Sequence, residues 1–124
     1  GVNKMMKYYI ADIETQNGEF EDITTIRFQA KNGEDADKLH HYHVGTWYGE
    51  DHVVWDDLQN SYMNDFIAIS HGDITEIDKH TFEMLATHRT LPDLTRKMKD
   101  VEDWLERDAE YKAELAEIAE MEGR

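Results

Sequence analysis

Residues 5–15, MMKYYIADIET, are apolar and rich in β-formers. Residues 23–30, ITTIRFQA, have the same character, and Asn17-Gly18 lies between the two runs. Asn-Gly in that position is a strong hairpin signal, because both residues tolerate the positive φ that tight hairpin turns need. The period then lengthens. Ala36, Leu39, His40, His43, Val44 and Trp47 follow the i, i+3, i+4, i+7 rhythm of one helical face. This predicts a helix over 35–46, opened by Asn32 or by Gly33-Glu34. Gly45 weakens its last turn and Gly49 supplies a stop.

Beyond residue 50 the pattern is less regular. Residues 52–55 read as a short strand and 56–65 as a loop or a single helical turn. Residues 66–77, FIAISHGDITEI, read as a further strand with Gly72 at a bulge or bend. A short helix starts at Asp78 and buries Phe82 and Leu85. Pro92, the sole proline, fits a first helical position, and no breaker follows it until about residue 120. Leu94, Met98, Val101, Leu105, Leu115 and Ala119 form a sparse stripe there, flanked by Trp104, Tyr111 and Ile118. The stripe is interrupted at Asp108 and Lys112, which argues against a sustained coiled coil. The expected architecture is α+β: a small antiparallel sheet, made of the hairpin and one or two further strands, packed on one helix. A short helix and a long amphipathic helix follow. Residues 1–92 form the domain, and 93–124 a C-terminal helix of the same domain, frayed at its end.

Composition narrows the function classes. The chain has 124 residues, a size suited to one domain. Its net charge is −15, from 28 acidic against 13 basic residues. Nucleic-acid binding draws its affinity from Lys and Arg on phosphates, so direct binding is not expected. The charge suits a soluble protein, a basic protein partner or an acidic mimic of nucleic acid. There is no cysteine, which excludes disulfides and thiolate chemistry and fits a cytoplasmic location. No apolar run reaches the ~18 residues of a membrane span, and no secretory leader pattern is read. Gly1 reads as a residue left by tag removal, with Met5 or Met6 as the natural start. No phosphate-binding glycine loop and no nucleophile elbow occur.

Asp12 and Glu14, two residues apart on a strand, point off one face. "IADIET" resembles the first motif of DEDD-type 3′–5′ exonucleases. "HVVWDD" is similar to the second motif and "HRTLPD" to the third. The resemblance implies that Asp12, Glu14, Asp56 and Asp93 hold two Mg²⁺ or Mn²⁺ ions and that His88 is the general base. The residues themselves also allow a plainer reading, in which Asp12 and Glu14 are solvent-facing acids on a hairpin strand. Between Asp12 and Asp56 only one clear strand and one helix are visible, fewer elements than that family's sheet requires.

Seven histidines are a further feature. His40 and His43 share a helix face at i, i+3, a spacing at which two rings can ligate one metal ion. His52, His71 and His80 are candidates for a third ligand. The other reading places both rings in the half-buried stripe, hydrogen-bonded within the fold. By general pattern, the first two-thirds of the chain resembles small acidic accessory proteins of phages and marine bacteria. That resemblance implies a binding or regulatory role. The expectation is a non-enzymatic interaction protein that self-associates or takes a basic partner. No cofactor is expected, except Mg²⁺ or Mn²⁺ under the exonuclease alternative.

Overall fold

Strand β1 (Lys7–Asn17) and strand β2 (Phe20–Ala30) pair antiparallel, from Lys7 opposite Ala30 to Asn17 opposite Phe20. The two-residue connection is therefore Gly18-Glu19, one position later than a turn centred on Asn17-Gly18. Gly18 sits at φ 64, which a side chain would resist. A computed structural model describes residues 5–48, 54–56, 59, 61–64, 66–88 and 91–123.

Helix α1 (Gly33–Gly45) starts where Asn32 accepts a hydrogen bond from the Asp35 amide at 2.8 Å, an N-cap of the expected kind. The expected stop at Gly49 lies outside the described residues. Strands β3 (Val54–Asp56), β4 (Ser61–Asn64) and β5 (Ile67–Ile77) complete one antiparallel sheet in the order β2-β1-β5-β4-β3. The fold is α+β, as expected, with five strands instead of three or four. The extra strand is β4, inside the stretch read as loop or helical turn. It is too short to show a period, and its pairing with β3 and β5 makes it a strand. Gly72 lies at a register shift between β1 and β5, the expected bulge. A Cβ there would come within 2.7 Å of the Asp12 Cβ, so the site has no room for a side chain.

Helix α2 (Lys79–His88) is opened by Asp78, whose Oδ1 accepts from the Thr81 amide. Helix α3 (Met98–Met121) begins at Met98, not at Asp93. Pro92 does not start it because residues 91–95 have other partners. They run beside the outer edge of β2, where the Leu94 amide donates to the Arg27 carbonyl at 3.0 Å. Thr95 Oγ1 accepts from the Gln29 amide at 2.8 Å. The segment's backbone is satisfied by sheet contacts and not by a helical turn.

The sheet's two faces differ. Tyr9, Ala11, Ile13, Ile26, Phe28 and Ile69 point to one side and are buried beneath α1 and the first half of α3. Ala36, Leu39, Val44, Val101 and Trp104 close that core from above. Burying each large chain of this kind contributes ~1.5–3 kcal/mol. The second face is covered at one end by α2, through Phe82 against Tyr8 and the Arg27 guanidinium. No helix among the described residues is long and apolar enough to cross a membrane.

Candidate functional site

The residues that concentrate polar chemistry lie where α1, α3 and β4 meet. Tyr62, fully buried on β4, is the centre. Its hydroxyl donates to Asp108 Oδ2 at 2.6 Å. A phenol has one hydrogen, so the other contacts must donate to its oxygen. Lys112 Nζ does so at 2.9 Å and His41 Nε2 at 2.7 Å. His41 therefore carries a hydrogen on Nε2.

Helix periodicity supplies two of these partners. Trp104, Asp108 and Lys112 are four residues apart on α3 and line up along one side of it. Lys112 Nζ lies 3.0 Å from Asp108 Oδ2 and sits 3.9 Å over the Trp55 ring. A desolvated cation over an indole face adds ~1–2 kcal/mol. Trp104 packs between α1 and Tyr62, with ring contacts to His41, Tyr42 and Tyr62. Gly45 gives it room, since a Cβ at Gly45 would clash with Trp104 Cη2.

Electrostatics follow from this packing. The Asp108 side chain is only 8% exposed. Burial alone would raise its pKa. Hydrogen bonds from His41, Tyr62 and Lys112, with the Lys112 charge, outweigh burial and hold it below the usual carboxylate range. Burial and then Asp108 push the Tyr62 phenol far upward, so it stays protonated. No buried side-chain polar atom is left unsatisfied among the described residues. What this cluster does chemically is bind α3 to α1 and the sheet.

The residues singled out in the sequence lie elsewhere. Asp12 accepts from Thr25 Oγ1 at 2.8 Å across the hairpin, and Glu14 is exposed on the same strand. Asp56 ends β3, which β5 and β4 separate from β1, a distance of roughly 14 Å at the usual strand spacing. Asp93 lies on the far side of β2, where it accepts from Gln29 Nε2 at 2.9 Å and from Thr95. His88 is in the last turn of α2. Asp56 and Asp93 thus flank Asp12 on opposite sides and do not converge on it. Among the described residues no three His, Asp or Glu side chains form a group able to hold a metal ion. His52 and Asp57 of the second motif lie outside the described residues.

His40 and His43 also point apart. His40 Nε2 donates to the Asp12 carbonyl and His43 Nε2 to the Leu94 carbonyl, each at 2.7 Å. Burial lowers both pKa values, that of His43 to about 4, so both rings are neutral donors that tie α1 to β1 and to residues 91–95. His71 meets His40 edge-on and stacks on His41, with ring centres 5.1 and 4.8 Å apart. Stacked rings do not aim their nitrogens at one point. His80 is exposed on α2.

Sequence reasoning missed Tyr62, His41, Asp108 and Lys112 as a group. One signal for half of them was present: an acid and a base at i, i+4 in the middle of an apolar stripe.

The clamp ends at Lys112, and α3 continues for more than two turns to Met121. None of residues 113–121 is buried. Glu114, Glu117 and Glu120 are exposed there, beside Ile118 at 51% and Met121 at 82% exposure. Among the described residues nothing buries this acidic stretch, in which Leu115 alone is half-buried. Comparison with protein-family models, with curated proteins and with solved structures returns no match.

Proposed function

We propose that this chain is a non-enzymatic interaction protein whose distal α3 face binds a basic partner. The observation that supports the reading is the combination, on residues 113–121, of exposed Ile118 and Met121 with Glu114, Glu117 and Glu120. A helix with an apolar line and an acidic surround fits a groove with an apolar floor and a basic rim. The net charge of −15 draws such a partner in from a distance, and salt weakens that attraction. The clamp at Tyr62 gives the arm a rigid base, which lowers the entropy cost of docking.

The test is binding of a synthetic amphipathic lysine–leucine helix, followed by calorimetry at rising ionic strength. Wild type is expected to bind with affinity that falls as salt rises. The variant Glu114→Lys/Glu117→Lys/Glu120→Lys is expected to lose binding while keeping its melting temperature. Equal binding by both proteins overturns the reading. Self-association is the competing use of the same face. Light scattering in which Ile118→Ser turns a dimer into a monomer would assign the face to a second copy.

A further inference from the structure

The second half of β2 is occupied on its outer side, and the first half is not. Arg27 and Gln29 turn their backbone groups outward to Leu94 and Thr95. Along a strand, alternate residues point their N–H and C=O groups to the same side. Glu21, Ile23 and Thr25 therefore point theirs outward too, while Phe20, Asp22 and Thr24 face β1. Among the described residues nothing bonds to the outward backbone groups of Glu21, Ile23 and Thr25. A free strand edge of this kind is a template for another strand.

Proteins usually blunt such edges with lysine, proline or a bulge. Residues 20–25 contain no lysine and no proline, and their pairing with β1 has no register shift. They present Phe20 at 82% and Ile23 at 61% exposure. The adjoining sheet surface is a trough of about 550 Å³ lined by Glu14, Glu21, Asp22, Ile23, Ser61 and Ser70. Its charged lining is acidic. A second copy pairing here would bring a second Glu21 and Asp22 to an edge whose charged lining is already acidic, adding like charge to like.

We propose that the free half of β2 binds an extended segment of a partner protein in which lysine or arginine alternates with apolar residues. The segment adds a strand to the sheet at Glu21, Ile23 and Thr25. Its basic side chains lie on the Ile23 face of the sheet and reach Glu14 and Glu21, and its apolar side chains lie on the opposite face beside Phe20. This deepens the reading of the chain as an acceptor of basic partners, and adds a second surface that recognises backbone conformation as well as charge.

The test uses a short peptide alternating lysine and valine, with a control in which proline replaces each valine. The lysine–valine peptide is expected to slow hydrogen exchange at the amides of Glu21, Ile23 and Thr25. The control is expected to bind about tenfold more weakly, because proline cannot donate to the ladder. Ile23→Pro removes one outward N–H without touching the β1 ladder, and is expected to weaken the lysine–valine peptide by about tenfold. Ile23→Lys keeps the backbone, repels the peptide and serves if the proline variant does not fold. Both variants are expected to bind the lysine–leucine helix as wild type does. Equal binding of the two peptides overturns the proposal. So does protection confined to α3 amides, in which case the α3 reading stands and the edge falls. A dimer that Ile23→Pro dissociates assigns the edge to a second copy and likewise overturns it.

Discussion

Tyr62→Phe removes one oxygen from the point where α1, β4 and α3 meet. That oxygen donates to Asp108 at 2.6 Å and accepts from His41 at 2.7 Å and Lys112 at 2.9 Å. A bond to an ionised partner contributes ~1.5–3 kcal/mol net and a neutral one ~0.5–1.5 kcal/mol. Not all of that is lost. Lys112 keeps Asp108 at 3.0 Å, and its side chain is 25% exposed, so water can reach the vacated positions. The ring itself stays, so no large cavity forms. The expected net loss is about 2 kcal/mol. Urea unfolding followed by tryptophan fluorescence measures it, as a midpoint lowered by roughly 1 M at an unchanged slope. Lys112→Met should lose at least as much, because it leaves the largely buried Asp108 carboxylate without its cation and removes the contact over Trp55. The double variant should fall short of the sum by about 1 kcal/mol, the mark of a shared network. A Tyr62→Phe loss below ~0.5 kcal/mol, the range of an ordinary surface change, refutes the clamp.

Gly45→Ala gains about 1 kcal/mol of helix propensity but drives a methyl into Trp104 Cη2. Overpacking at ~1–3 kcal/mol wins because Trp104 is held by His41, Tyr42 and Tyr62, so the melting temperature should drop; a rise refutes the contact. His43 has its pKa lowered to about 4 by burial, despite its bond to Leu94, with Arg96 and His40 lowering it further. The unfolded chain then binds the proton more readily, so stability is full above about pH 6.5 and falls toward pH 4 by up to ~1.4 kcal/mol per pH unit. His43→Gln should show a shallower slope in acid denaturation, and identical slopes refute the assignment. Mn²⁺ should shift the melting temperatures of wild type and Asp12→Ala equally or not at all, since Asp56 and Asp93 lie on opposite sides of Asp12. A rise confined to wild type would restore the two-metal reading.

The hairpin and α1 were legible because their signals are local. Asn17-Gly18, the alternation of Tyr9, Ala11 and Ile13, and the Asn32 cap each act within a few residues. What was not legible depends on partners far along the chain. Ser61–Asn64 becomes a strand only because β3 and β5 lie on either side of it. Pro92 looked like a helix start because proline suits that position. The choice was made instead by Arg27 and Gln29, whose outward backbone groups hold residues 91–95 beside β2.

The same reasoning explains why Asp108 and Lys112 read as faults. An apolar stripe says which side of a helix is buried, and a charged pair within it seems to cost stability. The cost is removed by Tyr62, a residue in the stretch whose pattern was least regular, and by His41, which lies beside the apolar face of α1 rather than on it. Neither is identifiable from α3 alone. Once both are in place, the interruption divides α3 by function. Toward its start, Val101 and Trp104 are buried in the core. Past Lys112 the apolar positions continue as half-buried Leu115 and exposed Ile118. On the proposed reading this exposed stretch is the face that docks, so the distal helix is where a partner should be sought first.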